Sequence, residues 1–301
     1  MPPPGLPPRA PPLHLPPPWP LRATTPADLD RLRIWDSFYS TPSQERTPPP
    51  PLADALSAER ATFAPARIAR FCAHLHVGAG TARSTEIGER IRRNPDEIRA
   101  ALARHASWLL GIARVNTDDA PTTLAAIETW IARGPMVGIR RQDGKLPAGN
   151  ANSDSIVRRA RELGALIIQL NWFDALGAGN PRATTPSTLA ALAARHPEIT
   201  FISGHAGGEW EQGIRAIRPH KHILDETSGF DPTAGFVAMA VRELGAERIV
   251  FGSHFPGRSI GTELGKILSA RLSSRDNERM FGGNLRRLLT PILRRKGRTV
   301  D

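Results

Sequence analysis

The stretch ITFISGHAGG, residues 199–208, is a short apolar run that ends in a glycine, a histidine and two further glycines. Including its first part, Ile199–Ser203, the chain contains eight apolar, β-branched runs; the others are Arg33–Phe38, Ile68–Leu75, Leu109–Val115, Met136–Arg140, Leu166–Leu170, His222–Thr227 and Arg248–Gly252. Their near-continuous hydrophobicity is typical of parallel strands that are covered on both faces. Helical patterns with clear start signals, such as Asn94-Pro95 and Thr185-Pro186, separate most of the runs.

Eight strands that alternate with helices predict a single (β/α)8 barrel, an α/β TIM barrel. The alternative is a doubly wound sheet, which needs a glycine-rich phosphate turn after the first strand. The residues there, Trp35-Asp36-Ser37-Phe38, provide no such turn. In a barrel, functional side chains follow the strands and lie together at the C-terminal mouth. The candidate site residues are therefore those that come just after each run.

Proline marks the domain organisation. Of the 29 prolines, 17 lie in the first 51 residues. The sequence predicts a disordered Pro-rich arm over residues 1–28, the barrel over residues 29–292 and a basic C-terminal tail over residues 293–301. A Pro-rich arm can also act as a polyproline ligand for a partner, although a solvated arm is the simpler interpretation.

Charge and cysteine content exclude several classes of protein. The formal charge is +11, but arginine supplies 36 of the 40 basic residues, which indicates genome-wide composition rather than a nucleic-acid patch. No apolar run reaches the roughly 20 residues of a membrane span. The single cysteine, Cys72, excludes an internal disulfide framework. We therefore expect a small-molecule substrate, no nucleic acid, no membrane and, because the start lacks a signal peptide, a cytoplasmic location.

The second half of the chain carries a specific series of motifs. Gly204-His205-Ala206-Gly207-Gly208 is followed by Leu224-Asp225-Glu226-Thr227-Ser228, then by Phe251-Gly252-Ser253-His254-Phe255-Pro256, and finally by Met280-Phe281-Gly282-Gly283-Asn284. In this order and spacing they resemble the C-terminal half of the amidohydrolase-2 family, a family of metal-dependent barrel hydrolases and decarboxylases. The resemblance is dense over residues 199–289 and looser over residues 109–171. Since family members often pair, it is also compatible with a homodimer.

The resemblance implies a divalent metal held by a His-x-His pair after strand one, by histidines after strands five and six, and by an aspartate after strand eight. Phe38 and Ser40 occupy the positions of the first pair, Asn171 stands for the third histidine, and His254 for the aspartate. Only His205 is unchanged. Because phenylalanine cannot ligate and serine or asparagine oxygens bind zinc weakly, we expect the usual metal site to be absent and no cofactor.

Three hypotheses remain. The first is a metal-independent hydrolase or carboxy-lyase that acts on a small carboxylate or carbonyl compound. His205 and His254 would be its acid–base pair, with Asp225 or Glu226 to orient a histidine. The substrate would be bound by groups that follow strands four and five: Arg140, Arg141 and Asn171. Two adjacent arginines in so arginine-rich a chain can equally form a solvated loop.

The second hypothesis is a relocated site for zinc or another divalent metal. His74 and His76 share a face of one strand, and they would bind the ion together with His205 and His254. The third hypothesis is a catalytically inactive barrel with a binding or scaffold role, because a fold can be kept when its site is lost.

Overall fold

The computed structural model describes residues 25–40, 50–77, 94–142, 146–171, 183–205, 210–229 and 235–300. Its eight strands are Trp35–Ser40 (β1), Arg70–His76 (β2), Leu109–Asn116 (β3), Gly138–Gln142 (β4), Leu166–Leu170 (β5), Phe201–Gly204 (β6), Ile223–Glu226 (β7) and Ile249–Val250 (β8). They are parallel neighbours in sequence order. Ser37 N donates to Phe251 O (3.0 Å) and His254 N to Phe38 O (2.7 Å), which brings the last strand against the first. The predicted (β/α)8 barrel is confirmed, and the doubly wound alternative was wrong.

Helices fill the intervals between the strands. They are Pro26–Leu32 (α1), Leu52–Phe63 (α2), Pro95–Arg104 (α3), Ala120–Ile127 (α4), Asn152–Glu162 (α5), Pro186–Arg195 (α6), Trp210–Ile217 (α7), Phe236–Leu244 (α8), Ile260–Ser269 (α9), Ser274–Glu278 (α10) and Asn284–Arg295 (α11). The predicted start signals act as expected. The Asn94 side chain accepts a hydrogen bond from Asp96 N, and Thr185 forms a capping box at α6. No helix in these ranges is long and apolar enough to cross a membrane.

Strand register decides which side chains reach the mouth. Arg114 of β3 pairs with Arg140 of β4, and Arg141 pairs with Gln169 of β5. Paired residues on parallel strands point to the same face, and successive residues alternate between faces. The Arg140 guanidinium lies 5.5 Å from the centroid of the Phe38 ring inside the barrel, so Arg141 points outward to the helices.

Both ends of the barrel differ from the predicted boundaries. Helix α1 begins at Pro26, inside the arm predicted for residues 1–28, and residues 1–24 lie outside the described part. At the other end, α11 continues past residue 292 to Arg295. Lys296 Nζ then donates to Ile131 O (2.5 Å) and Gly134 O (2.6 Å). The basic tail therefore packs against the barrel at least as far as Lys296.

Candidate active site

The ring of Phe38 lies at the centre of the barrel mouth. Its centroid is 4.2 Å from that of His74, 4.9 Å from His205 and 4.7 Å from His254. These three imidazoles come from β2 and from the ends of β6 and β8, so they surround the ring from different sides of the barrel. An apolar ring thus fills a position where the resemblance implied a metal ligand.

His205 and His254 face each other beside this ring. Their ring centroids are 4.8 Å apart, with an interplanar angle of 31°. Both residues have a left-handed backbone, with φ of 58° and 52° respectively. Such angles are uncommon for residues other than glycine, although histidine, like asparagine and aspartate, adopts them more readily than most. The structure thus brings together the two histidines that the sequence suggested as an acid–base pair.

Glu226 and Ser228 hold His205 from the β7 side. Glu226 Oε2 accepts from His205 N at 3.0 Å and lies 3.4 Å from Nδ1. The Ser228 hydroxyl is 2.8 Å from the same Nδ1 and donates to Glu226 Oε2 at 2.9 Å. Burial opposes ionisation of Glu226, but its hydrogen bonds with His205 and Ser228 outweigh this effect and keep its pKa below the usual value. A charged carboxylate therefore lies behind the His205 ring.

Asp225 occupies a different environment from Glu226. It pairs in register with Ser203, which lies on the outward face together with Arg141 and Gln169. Within the described residues, neither carboxylate oxygen of Asp225 has a hydrogen-bond partner. Burial, reinforced by the charge of Glu226, raises its pKa well above the usual value. Of the two acids suggested as the partner of a histidine, Glu226 makes that contact and Asp225 does not.

The three suggested substrate-binding residues are also divided between the two faces. Arg140 faces the mouth, with Nη1 3.5 Å from His74 Nδ1. Arg141 instead donates to Gln169 Oε1 (2.7 Å), Ser153 Oγ (2.8 Å) and Ala148 O (3.1 Å), behind the strands.

Asn171 links the end of β5 to the end of β6. Its Nδ2 donates to Ser203 Oγ (2.8 Å) and to the backbone oxygen of His205 (3.3 Å). Only Arg140 of the three faces the ring of Phe38, while Asn171 supports the backbone that carries His205.

Further mouth residues lie outside the recognised motifs. Arg114 pairs in register with both His76 and Arg140, which places two guanidinium groups side by side. It is the only charged residue of β3, and this is the signal by which the sequence could have shown it. Gly252 has a steric role, since a Cβ there would lie 1.7 Å from Glu226 Oε1. A side chain at position 252 would displace the acid that holds His205.

The mouth residues do not fit the metal that the family resemblance implies. His74 Nε2 donates to Ser37 O at 2.9 Å, and its other ring nitrogen faces the Arg140 cation. Throughout the ranges that the structure describes, no group of three or more His, Cys, Asp or Glu side chains is arranged to hold a metal. In the structure His74, His76, His205 and His254 are not arranged as the relocated site, because the ring of Phe38 lies between three of them.

Burial also controls the charge of the other groups at the mouth. It lowers the pKa of His74 well below the usual value, with a further contribution from Arg140. Burial, and then the neighbouring His205, lowers the pKa of His254 to about 3. Both rings are neutral near neutral pH. Burial raises the pKa of Asp36 to about 8, although its carboxyl accepts hydrogen bonds from Phe38 N and Ser253 N.

We expect Asp36→Asn to flatten the loss of stability that accompanies a rise in pH from about 4 to 8. The folded protein keeps a proton on Asp36 up to about pH 8, whereas the unfolded chain loses it near the ordinary value of 3.8. The folded state therefore binds more protons within this window, and its stability falls as the pH rises through it. Asparagine retains the acceptor for Phe38 N and Ser253 N but cannot ionise.

The measurement is the melting temperature at pH 6 and pH 9. The difference between the two should be smaller in Asp36→Asn than in the wild type, and unchanged in the exposed control Asp30→Asn. Equal differences in all three proteins would contradict the pKa assigned to Asp36.

Comparisons with known proteins agree with the barrel. The sequence matches the family model described as Amidohydrolase (Amidohydro_2) over residues 13–290. No similar sequence is found among curated proteins.

Solved structures with the same fold cover most of the chain. An uncharacterized TIM-barrel protein from Bordetella bronchiseptica is 14% identical, with a TM-score of 0.67 over 86% of this chain and 99% of that one. A dihydroxybenzoic acid decarboxylase from Polaromonas sp. JS666, solved with manganese and 2-nitroresorcinol, is 16% identical, with a TM-score of 0.62 over 85% and 96%. A 5-carboxyvanillate decarboxylase from Sphingomonas paucimobilis is 13% identical, with a TM-score of 0.59 over 86% and 99%. Identities this low show the fold alone, but the family model covers most of the sequence, and the chain therefore belongs to the amidohydrolase family.

Proposed function

We propose that this protein is a hydrolase or carboxy-lyase that acts on a small carboxylate or carbonyl compound at the barrel mouth, without the metal of its family. The observation that carries the proposal is the position of Phe38, whose ring lies against His74, His205 and His254 where the family would place a metal ligand. Membership of a family of hydrolases and decarboxylases supports the reaction class.

Arg140 is the group proposed to bind the substrate carboxylate. Its guanidinium is buried, lies above the Phe38 ring and has Arg114 beside it on β3. Both are basic groups on the β3–β4 side of the mouth, whereas Glu226 and the two facing histidines lie on the β6–β8 side. An anionic substrate would therefore place its carboxylate against Arg140 and its reacting carbon towards His205.

His205 is the proposed proton-transfer residue. Ser228 and Glu226 occupy the Nδ1 side of His205. Proton transfer to or from the substrate or water therefore takes place at Nε2. In hydrolysis, Nε2 takes a proton from the attacking water and returns it to the leaving group, while charged Glu226 stabilises the protonated ring. In decarboxylation, Nε2 gives a proton to the carbon that loses carbon dioxide. His254, with a pKa of about 3, stays neutral and acts as a hydrogen-bonding partner.

The test is turnover by the purified protein on a panel of lactones, aryl carboxylates and amides, with bound metal measured on the same sample. We expect activity that survives a chelator and less than one equivalent of metal per chain. Activity that a chelator removes and a divalent metal restores would contradict the metal-independent mechanism. A folded protein with no turnover on any compound would contradict the enzyme proposal and favour a barrel with a binding role.

Arg140 and Arg141 are neighbours on β4, so one provides the test variant and the other its matched control. Arg140→Met should raise KM for a carboxylate substrate by roughly 10–100-fold, since a charged hydrogen bond contributes about 1.5–3 kcal/mol. Arg141→Met should leave KM nearly unchanged but lower the free energy of unfolding by about 1–3 kcal/mol, because three buried hydrogen bonds are lost. Steady-state kinetics and denaturant unfolding separate the two effects. An equal rise in KM for both variants would contradict the proposed role of Arg140.

A further inference from the structure

The structure also contains a cavity bordered by three helices and by the loop that follows β8. Its volume is about 730 Å³, and it is enclosed by α1, the end of α2, the loop after β8 and the start of α9. The apolar residues that line it are Leu29, Phe63, Pro65, Phe255, Ile260 and Leu264. We call this cavity the outer groove. The proposed function does not use it.

The outer groove has the chemistry of a polyproline-binding surface. Phe63 and Phe255 meet edge to face, with centroids 5.5 Å apart, and Tyr39 stacks on Phe255. Thr62 and Ser259 lie at its rim, and the Ser259 side chain makes no capping hydrogen bond to α9. Polyproline II helices dock in grooves lined by aromatic residues, and their carbonyl groups have no internal hydrogen bonds and need external donors.

The same chain carries a matching sequence shortly before α1, a helix that borders this groove. Residues 16–21 read PPPWPL, in which Pro17 and Pro20 have the PxxP spacing that such grooves recognise. This segment ends a few residues before Thr25, the N-cap that fixes the start of α1, and Leu29 of α1 lines the groove. Thr25 is five positions after Pro20, so Pro20 can lie no more than about 18 Å from Thr25.

We infer that the Pro-rich segment 16–21 docks in the outer groove of its own chain, with Trp19 against Phe63 and Phe255. The inference is independent of the proposed function, since it concerns a surface outside the barrel mouth. It nevertheless affects that site. Gly257 lines the groove, and a Cβ at this position would lie 3.6 Å from His254 Nε2. Docking therefore packs the arm against the loop that carries His254.

The rate of trypsin cleavage tests the docking in the full chain, because the cleavable residues Arg9 and Arg22 lie in the Pro-rich arm. The test variant is the double substitution Thr62→Asp and Pro65→Asp, which puts two charges into the groove at exposed positions. The control is Ala61→Asp, which adds a charge at an exposed neighbour that does not line the groove. We expect cleavage after Arg22 to be at least tenfold faster in the double variant and unchanged in the control. Equal rates in all three proteins would overturn the inference.

A disulfide test identifies the chain to which the arm binds. Cys72, the only cysteine, is buried, and burial raises the pKa of its thiol, so introduced cysteines react selectively. We expect mild oxidation of a Leu21→Cys, Pro65→Cys protein, which keeps Trp19, to give a disulfide within one monomer. The control Leu21→Cys, Gly297→Cys should give none. A disulfide-linked dimer would overturn docking within the same chain, and a yield no higher than the control would overturn the groove as the docking site.

Discussion

His205→Asn is expected to lower kcat by roughly 10²–10⁴-fold, the usual contribution of a general acid–base group. Asparagine cannot transfer a proton at this position, but it tolerates the left-handed backbone that His205 adopts, with φ of 58°. The fold should therefore survive, and KM should change little because Arg140 still binds the carboxylate. Steady-state kinetics on the substrate found in the panel, with a circular dichroism spectrum of each variant, make the measurement.

The control for this substitution is His220→Asn, which removes a histidine far from the mouth, between α7 and β7. It should leave kcat unchanged. Glu226→Gln should show an intermediate loss, because Ser228 still contacts His205 Nδ1 when the charge behind the ring is gone. A loss of less than tenfold in a folded His205→Asn protein would remove His205 from the mechanism.

Phe38→His is expected to bind zinc more tightly than the wild type. The new imidazole would stand beside His205 and His254, whose ring centroids now lie 4.9 and 4.7 Å from that of Phe38. Neutral imidazoles are good zinc ligands, and His254 with a pKa of about 3 carries no proton to displace. We expect zinc to bind about a thousandfold or more tightly than to the wild type.

Chelator competition gives the affinity, and a cobalt spectrum reports the number of nitrogen ligands. Phe38→Leu is the matched control, since it removes the ring without adding a ligand. If Phe38→His and Phe38→Leu bind zinc equally weakly, His205 and His254 are not aimed at the position of the ring.

The barrel could be predicted because each strand is a continuous apolar run between strong helix signals. The strand predicted at Leu166–Leu170 has the same bounds in the structure, and the one predicted at Arg33–Phe38 lies at Trp35–Ser40. The convergence of His205 and His254 follows from the fold, because both residues follow strands whose C-terminal ends meet at one mouth.

The face of the barrel on which each strand side chain lies could not be predicted in the same way. Asp225 and Glu226, like Arg140 and Arg141, are neighbours on one strand, and a shift of one residue exchanges their faces. Arginines on both faces give no apolar alternation from which to read the register. Phe38 depends on a further irregularity, the register shift between Asp36 and Tyr39 in β1. A local shift of this kind re-aims side chains, and the residues of β1 carry no signal that would reveal it.

The hydrogen bonds that join β1 to the β8 side have a consequence for synthesis on the ribosome. Ser253 N donates to Asp36 Oδ1 across 217 residues, and His254 N donates to Phe38 O. Contacts between such distant positions form late, because the whole intervening chain must first be ordered. A nascent chain that ends before Ile249 can pair seven strands, yet it has no His254 and leaves the Asp36 carboxyl without the Ser253 donor. The mouth is therefore assembled only when the last strand leaves the ribosome, so a truncated product has no complete site.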